Sequence, residues 1–148
     1  MGSRARAAAV ALVAVVGACG KSGTAPSTTE LAGTWRATRV EYVNAANQSQ
    51  KVELVSTGAV YTLVLTAGGT FTLTGSHAGD DPISLAGRYD ASVDVLTLTY
   101  TSGASGEAQF DMTLSGNTLT LSGGHAPYDV NGDNQVEEAL LNLVLARQ

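Results

Sequence analysis

The sequence is short of the residues that build covalent and metal chemistry. Cysteine occurs once in 148 residues, histidine twice, and Trp, Tyr and Phe together make up 5%. A single cysteine cannot close an internal disulfide. Neither His77 nor His125 has a second Cys or His at ligand spacing, which argues against a zinc site. Basic residues are scarce, eight against thirteen acidic ones, and residues 19–148 alone carry a net charge of −7. Such a chain has no electrostatic footprint for DNA or RNA. There is no Gly-rich phosphate loop leading into a helix. "SHAGDD" (76–81) sets Ser76, His77 and Asp80 close in sequence, but a catalytic triad is assembled across a fold, so this adjacency is weak evidence. These absences favour a non-enzymatic protein.

What is present begins at the N-terminus. Arg4 and Arg6 precede ten consecutive Ala, Val and Leu residues (7–16), followed by Gly17, Ala18 and Cys19. A basic start, a short apolar run and small residues before a cut site read as a secretory signal over 1–18. The run is too short to span a bilayer, which takes about 20 residues. Val16-Gly17-Ala18-Cys19 resembles the lipobox of bacterial lipoproteins. That resemblance implies cleavage before Cys19, covalent lipid on it, and a membrane anchor, since several acyl chains at about 0.8 kcal/mol per buried CH₂ hold where one would not. It also implies a place in the bacterial cell envelope; Gly20 after the cysteine favours the outer membrane, facing the periplasm or the surface. Residues 19–30 then read as the lipidated cysteine and a flexible Gly/Ser/Thr/Pro linker.

Residues 31–148 are long enough for one domain with one core. Period-two alternation dominates them. "VYTLVLT" (60–66) sets Tyr61, Leu63 and Leu65 on one face, and "TFTLT" (70–74) sets Phe71 and Leu73 on one face. A three-residue loop at 67–69, with Gly69 left-handed, pairs Leu65 with Phe71 and Leu63 with Leu73; a two-residue loop would mix the faces. A Gly116-Asn117 turn pairs Leu114 with Leu119 and Met112 with Leu121. A longer turn around 91–94 pairs Tyr89 with Leu96 and Leu85 with Tyr100. With a first strand near 34–43 and a last near 139–147, these hairpins make an all-β fold, an eight-stranded antiparallel up-and-down barrel. Thr70, Thr72, Thr74, Thr97, Thr99 and Thr101 fall on the outer face, where threonine suits a half-solvated strand.

Leu31-Ala32-Gly33-Thr34-Trp35 resembles the Gly-x-Trp opening of lipocalins and related barrels, and "AGRYDASVDVLTLTY" and "SGNTLTLSG" are similar to the hairpins of bacterial lipocalin-like lipoproteins. The resemblance covers about 31–148. It implies a lipocalin-like barrel in which Gly33 and Trp35 cap one end and a late basic residue, Arg147, packs over the tryptophan through a cation–π contact. The second lipocalin motif, a Thr-Asp-Tyr turn, is missing. Eight strands either fill their interior or hold one small apolar ligand, and the inward set of leucines with Phe71, Tyr89, Tyr100, Phe110 and Met112 leaves both open.

"YDVNGDNQVEEA" (128–139) is the stretch nearest to metal chemistry. Counting from Asp129 as position 1, Asn131, Asp133, Gln135 and Glu137 fall at positions 3, 5, 7 and 9 of an EF-hand loop, and the stretch resembles EF-hand and dockerin loops. Position 12 is Leu140, which cannot ligate, so Glu138 is the substitute acid. Calcium here would tie the loop; otherwise it is a solvated connection. The following "EEALLNLVLARQ" fits a helix or a strand, and the barrel asks for a strand. Two functions stay open: a membrane-anchored module carrying a small apolar ligand, and a structural lipoprotein with a filled core that meets an envelope protein partner.

Overall fold

The computed structural model describes residues 23–148; the expected signal peptide and Cys19 lie outside them. A one-turn helix α1 (Thr28–Leu31) leads into nine strands: β1 (Gly33–Asn44), β2 (Lys51–Glu53), β3 (Val60–Leu65), β4 (Thr70–Ser76), β5 (Ile83–Ala91), β6 (Val95–Ser102), β7 (Glu107–Ser115), β8 (Thr118–Tyr128) and β9 (Glu137–Arg147). All pairings are antiparallel, β3 to β9 run as a meander, and β1 pairs with both β3 and β9. This closes an eight-stranded barrel, with β2 as a short extra strand on β1. Closure removes the free edges of the eight strands, except where β1 parts from β3.

Two hairpins have the registers their turns predict. Leu65 faces Phe71 and Leu63 faces Leu73 across a loop with Gly69 at φ 81°. Leu114 faces Leu119 and Met112 faces Leu121. The third differs by two residues: Tyr89 pairs with Leu98, not Leu96, and Tyr100 sits opposite Gly87, not Leu85. The turn is tighter than expected, with the Ser92 amide donating to the Val95 carbonyl at 2.9 Å, and a bulge at Ala86/Gly87 shifts the register by one more residue beyond Gly87. A slip of two keeps each side chain on its expected face, where a slip of one would have turned them all outward. Residues 137–147 form a strand, with Ala139, Leu141, Leu143 and Leu145 buried.

The interior is filled for most of its height. Trp35, Leu63, Leu65, Phe71, Leu96 and Leu98 are among a continuous set of buried apolar side chains. Glycine makes room for rings: a Cβ on Gly75 would lie 2.8 Å from the Tyr61 ring, and one on Gly124 would lie 2.0 Å from the Phe110 ring. No polar side-chain atom of the described residues is buried without a partner.

One end is sealed. α1 crosses it, held by a capping box in which Ser27 and Glu30 bond reciprocally, so the last residues of the expected linker are folded. Leu31 is buried beneath, its carbonyl accepting from Trp35 Nε1 at 2.9 Å. Tyr89 ties the helix to the β3–β4 turn by donating to the carbonyls of Thr66 (2.7 Å) and Thr28 (3.3 Å).

β1 leaves β3 after Arg36, at a bulge around Thr38, and joins β2 further on. Backbone and side chain together tie β1 to the turn after β2: the Leu54 amide donates to the Val40 carbonyl at 2.9 Å. Glu53 Oε1 accepts from the amides of Val40 (3.1 Å) and Val55 (2.9 Å), and Oε2 accepts from Ser56 (2.8 Å). Burial pushes this carboxyl up, but the three amides outweigh it and bring it down to about 2.

Candidate functional site

The end opposite α1 is open. There the mouth-side ends of the strands, the 77–82 loop and the 129–136 loop enclose a cleft of about 720 Å³. Its wall includes Tyr42, Tyr61 and Tyr128 with Ile83, Pro127 and Val136; its polar lining includes His77, Asp80, Asp81 and Asp129. Val136 is 67% exposed, a large apolar side chain held at the rim. The Tyr42 and Tyr128 rings stack, centroids 4.1 Å apart and planes 11° from parallel. Filled leucine layers lie below, so a ligand would seat at the mouth rather than within the barrel. A second cleft, about 430 Å³, lies at the sealed end between residues 24–26 of the N-terminal segment and Val93, Asp94 and Leu114.

The polar groups of the mouth form one chain. Asp80 Oδ2 accepts from Tyr128 (3.2 Å) and pairs with His77 Nδ1 (2.9 Å), while His77 Nε2 meets Thr57 Oγ1 at 2.9 Å. Burial drives the phenol of Tyr128 up, and the Asp80 carboxylate adds to it, to about 12. Burial likewise holds Tyr42 and Tyr61 above the ordinary range, with Asp80 adding to each. All three therefore stay neutral hydrogen-bonding phenols at physiological pH.

Thr57, His77 and Asp80 are in the linear order of a hydroxyl–imidazole–carboxylate relay, and Thr57, not Ser76, supplies the hydroxyl. No periodicity in the sequence could signal this, because Thr57 comes from a 3₁₀ turn twenty residues away. The Thr57 hydroxyl donates to the Leu54 carbonyl, and the amides of Thr57 and Gly58 are taken by the carbonyls of Leu54 and Val55. Neither neighbouring amide is available as an oxyanion donor.

In the acidic loop, Asp129 Oδ1 accepts from Gly132 (2.7 Å) and Asp133 (3.2 Å), and Oδ2 from Asn134 (2.8 Å), which is left-handed at φ 66°. Asn131 Oδ1 accepts from Asp133 at 2.9 Å, and Asp133 Oδ1 from Gln135 at 2.8 Å. Glu137 Oε2 accepts from Val130 at 2.8 Å. Carboxylate oxygens of Asp129, Asp133 and Glu137 all lie within 4.8 Å of one another. Glu138 is not brought to them: it pairs with His125 at 2.8 Å across β8 and β9. Successive residues of a strand face opposite ways, so a strand that points Glu137 into the loop turns Glu138 away.

At the sealed end the Arg147 guanidinium lies 4.2 Å from the centroid of the Trp35 ring. Its nitrogens donate to the carbonyls of Ala32 and Glu30, both at 2.6 Å. Gly33, at φ 150°, leaves the space: a Cβ there would sit 2.8 Å from Arg147 Nη1.

The model of the lipocalin-like domain matches residues 31–121, more than half of the chain. No curated protein matches the chain. Among solved structures, that of EF1p2_mFAP2b bound to DFHBI is 22% identical, over 80% of this chain and 94% of that one, at a TM-score of 0.47.

Proposed function

The chain belongs to the lipocalin-like domain family, and we propose that it is a membrane-anchored envelope lipoprotein whose barrel mouth binds a small molecule with an apolar body. The observation that carries the binding half is the open cleft with its tyrosine wall and exposed Val136, above an interior lined by buried apolar side chains. The anchoring half rests on the sequence around Cys19. Gly23, four residues on, lies beside Val93 at the β5–β6 turn. An anchor at Cys19 would thus attach beside the sealed end and leave the mouth facing away from the bilayer. The acids around the mouth favour that orientation over an anionic membrane surface.

A second reading has its own observation, the convergence of Asp129, Asp133 and Glu137. Calcium, a hard cation that takes carboxylate oxygens, would tie the 129–136 loop against β9. In this reading the barrel is a structural lipoprotein that offers its loops to an envelope partner.

Native mass spectrometry of the protein extracted from its own membranes tests each part. Acyl mass on Cys19, absent from Cys19→Ser, is the expected result for the anchor. A co-purifying organic mass released on unfolding is expected for the carrier. One calcium lost to chelator would support the tied loop. Bare, unacylated protein would overturn the proposal.

A further inference from the structure

We propose that the mouth selects organic cations, the apolar body seated on Tyr128, Pro127 and Ile83 and the positive group at Asp80. This deepens the ligand-binding reading above and rests on it.

The cleft lining contains Asp80, Asp81 and Asp129 and neither Lys nor Arg. Low-dielectric walls focus the field of such a cleft, which raises the local concentration of cations and repels anions. Asp80 is the one of the three that meets both His77 and Tyr128 of the lining. Its side-chain bonds, from His77 and Tyr128, both fall on Oδ2, and among the described residues nothing donates to Oδ1. Asp81 is exposed beside it. A neutral apolar ligand would cover these carboxylates and strip their water without giving anything in return. An anion would add repulsion. A cation replaces the lost water with a charge partner, and the half-buried Tyr128 ring adds attraction through its quadrupole. The wall also separates this site from a metal site: Tyr128, Pro127, Ile83 and Val136 offer area to carbon, where a bare ion wants only oxygen.

The test is titration calorimetry of the intact protein with two ligands of one shape, phenyltrimethylammonium and neutral tert-butylbenzene. We expect the cation to bind about tenfold or more tightly than its isostere, the difference made by one well-placed charge contact of about 1.4 kcal/mol. Asp80→Asn and Asp81→Asn should each lower cation affinity several-fold and leave the neutral ligand unchanged, with circular dichroism confirming the fold. Asp94→Asn, at the sealed end, should change neither and so separates local charge from net charge. If tert-butylbenzene binds as tightly as the cation, the cation inference falls and the ligand site stands. If neither binds at millimolar concentration, both fall.

Discussion

Arg147 stacks 4.2 Å over Trp35 while its two nitrogens hold the carbonyls of Glu30 and Ala32, so one side chain fastens the last strand, the first strand and the helix that seals the barrel. Arg147→Leu should lower unfolding free energy by about 2–4 kcal/mol, from two hydrogen bonds to a charged group and one cation–π contact. Arg147→Lys should recover less than half, because an ammonium lacks the planar fork that reaches two carbonyls while stacking. Urea unfolding of the three proteins checks both. Equal stability of Arg147→Leu and wild type would remove the cap's energetic role.

Acid should loosen the tie between β1 and the turn that follows β2. The Glu53 carboxyl is held down to about 2, below its ordinary value. A depressed pKa gives stability that is complete above the unfolded value near 4.5 and is lost as pH falls through the folded value. Stability should therefore decline between about pH 4.5 and 2. Glu53→Gln should be less stable at pH 7 by about 1 kcal/mol and show a shallower decline in that window. Thermal unfolding across the pH series reads the slope; parallel curves would contradict the assignment to Glu53.

Gly124 makes way for Phe110, whose ring would lie 2.0 Å from a Cβ at that position. Gly124→Ala should cost about 1–3 kcal/mol through overpacking. Phe110→Leu in the same chain should return part of that loss, a non-additivity that a double-mutant cycle detects. Additive effects would mean that the ring and the glycine do not compete for space.

Asp129 is the acceptor for three loop amides before any ion is considered. Asp129→Ala should speed amide exchange at Gly132, Asp133 and Asn134 by about tenfold, with global stability lowered by less than about 1 kcal/mol because the loop is exposed. Hydrogen exchange with and without calcium separates the two functions of the loop. Protection that rises further with calcium in wild type and not in Asp133→Ala is the result expected of a calcium tie.

If Cys19 carries the anchor, the sealed end lies nearest the bilayer. A fluorophore on a cysteine placed at Asn117, in the β7–β8 turn, should be quenched by headgroup-labelled lipid in vesicles, and one at Asn47, at the far end, should not. The reverse pattern would refute the orientation, and absence of vesicle binding would refute the anchor.

The acidic loop illustrates a split between what was legible and what was not. The spacing of Asp129, Asp133 and Glu137 was readable, because a turn's side-chain-to-amide bonds are local. That Glu138 belongs to His125 was not, since it depended on the phase of β9 against β8. The same holds at the mouth. The apolar alternation placed Tyr61 inside and "SHAGDD" set His77 near Asp80, but Thr57 and Tyr128 gave no signal: the Asp80–Tyr128 bond joins residues 48 apart.

By itself the sequence determined most of the strands, their faces and two hairpin registers, because alternation and turn residues such as Gly69 act through steric rules over a few residues; it left 139–147 open between helix and strand and did not signal β2. Only the tertiary structure decided the rest. Pairing of β1 with β9 drew the strands into a ring, and closing that ring brought Arg147 onto Trp35, left Glu53 to tie β1 to the turn after β2 and gathered three tyrosines around Asp80. Those contacts depend on where distant strands come to lie, which is set by burial of the whole leucine core and is written in no single segment.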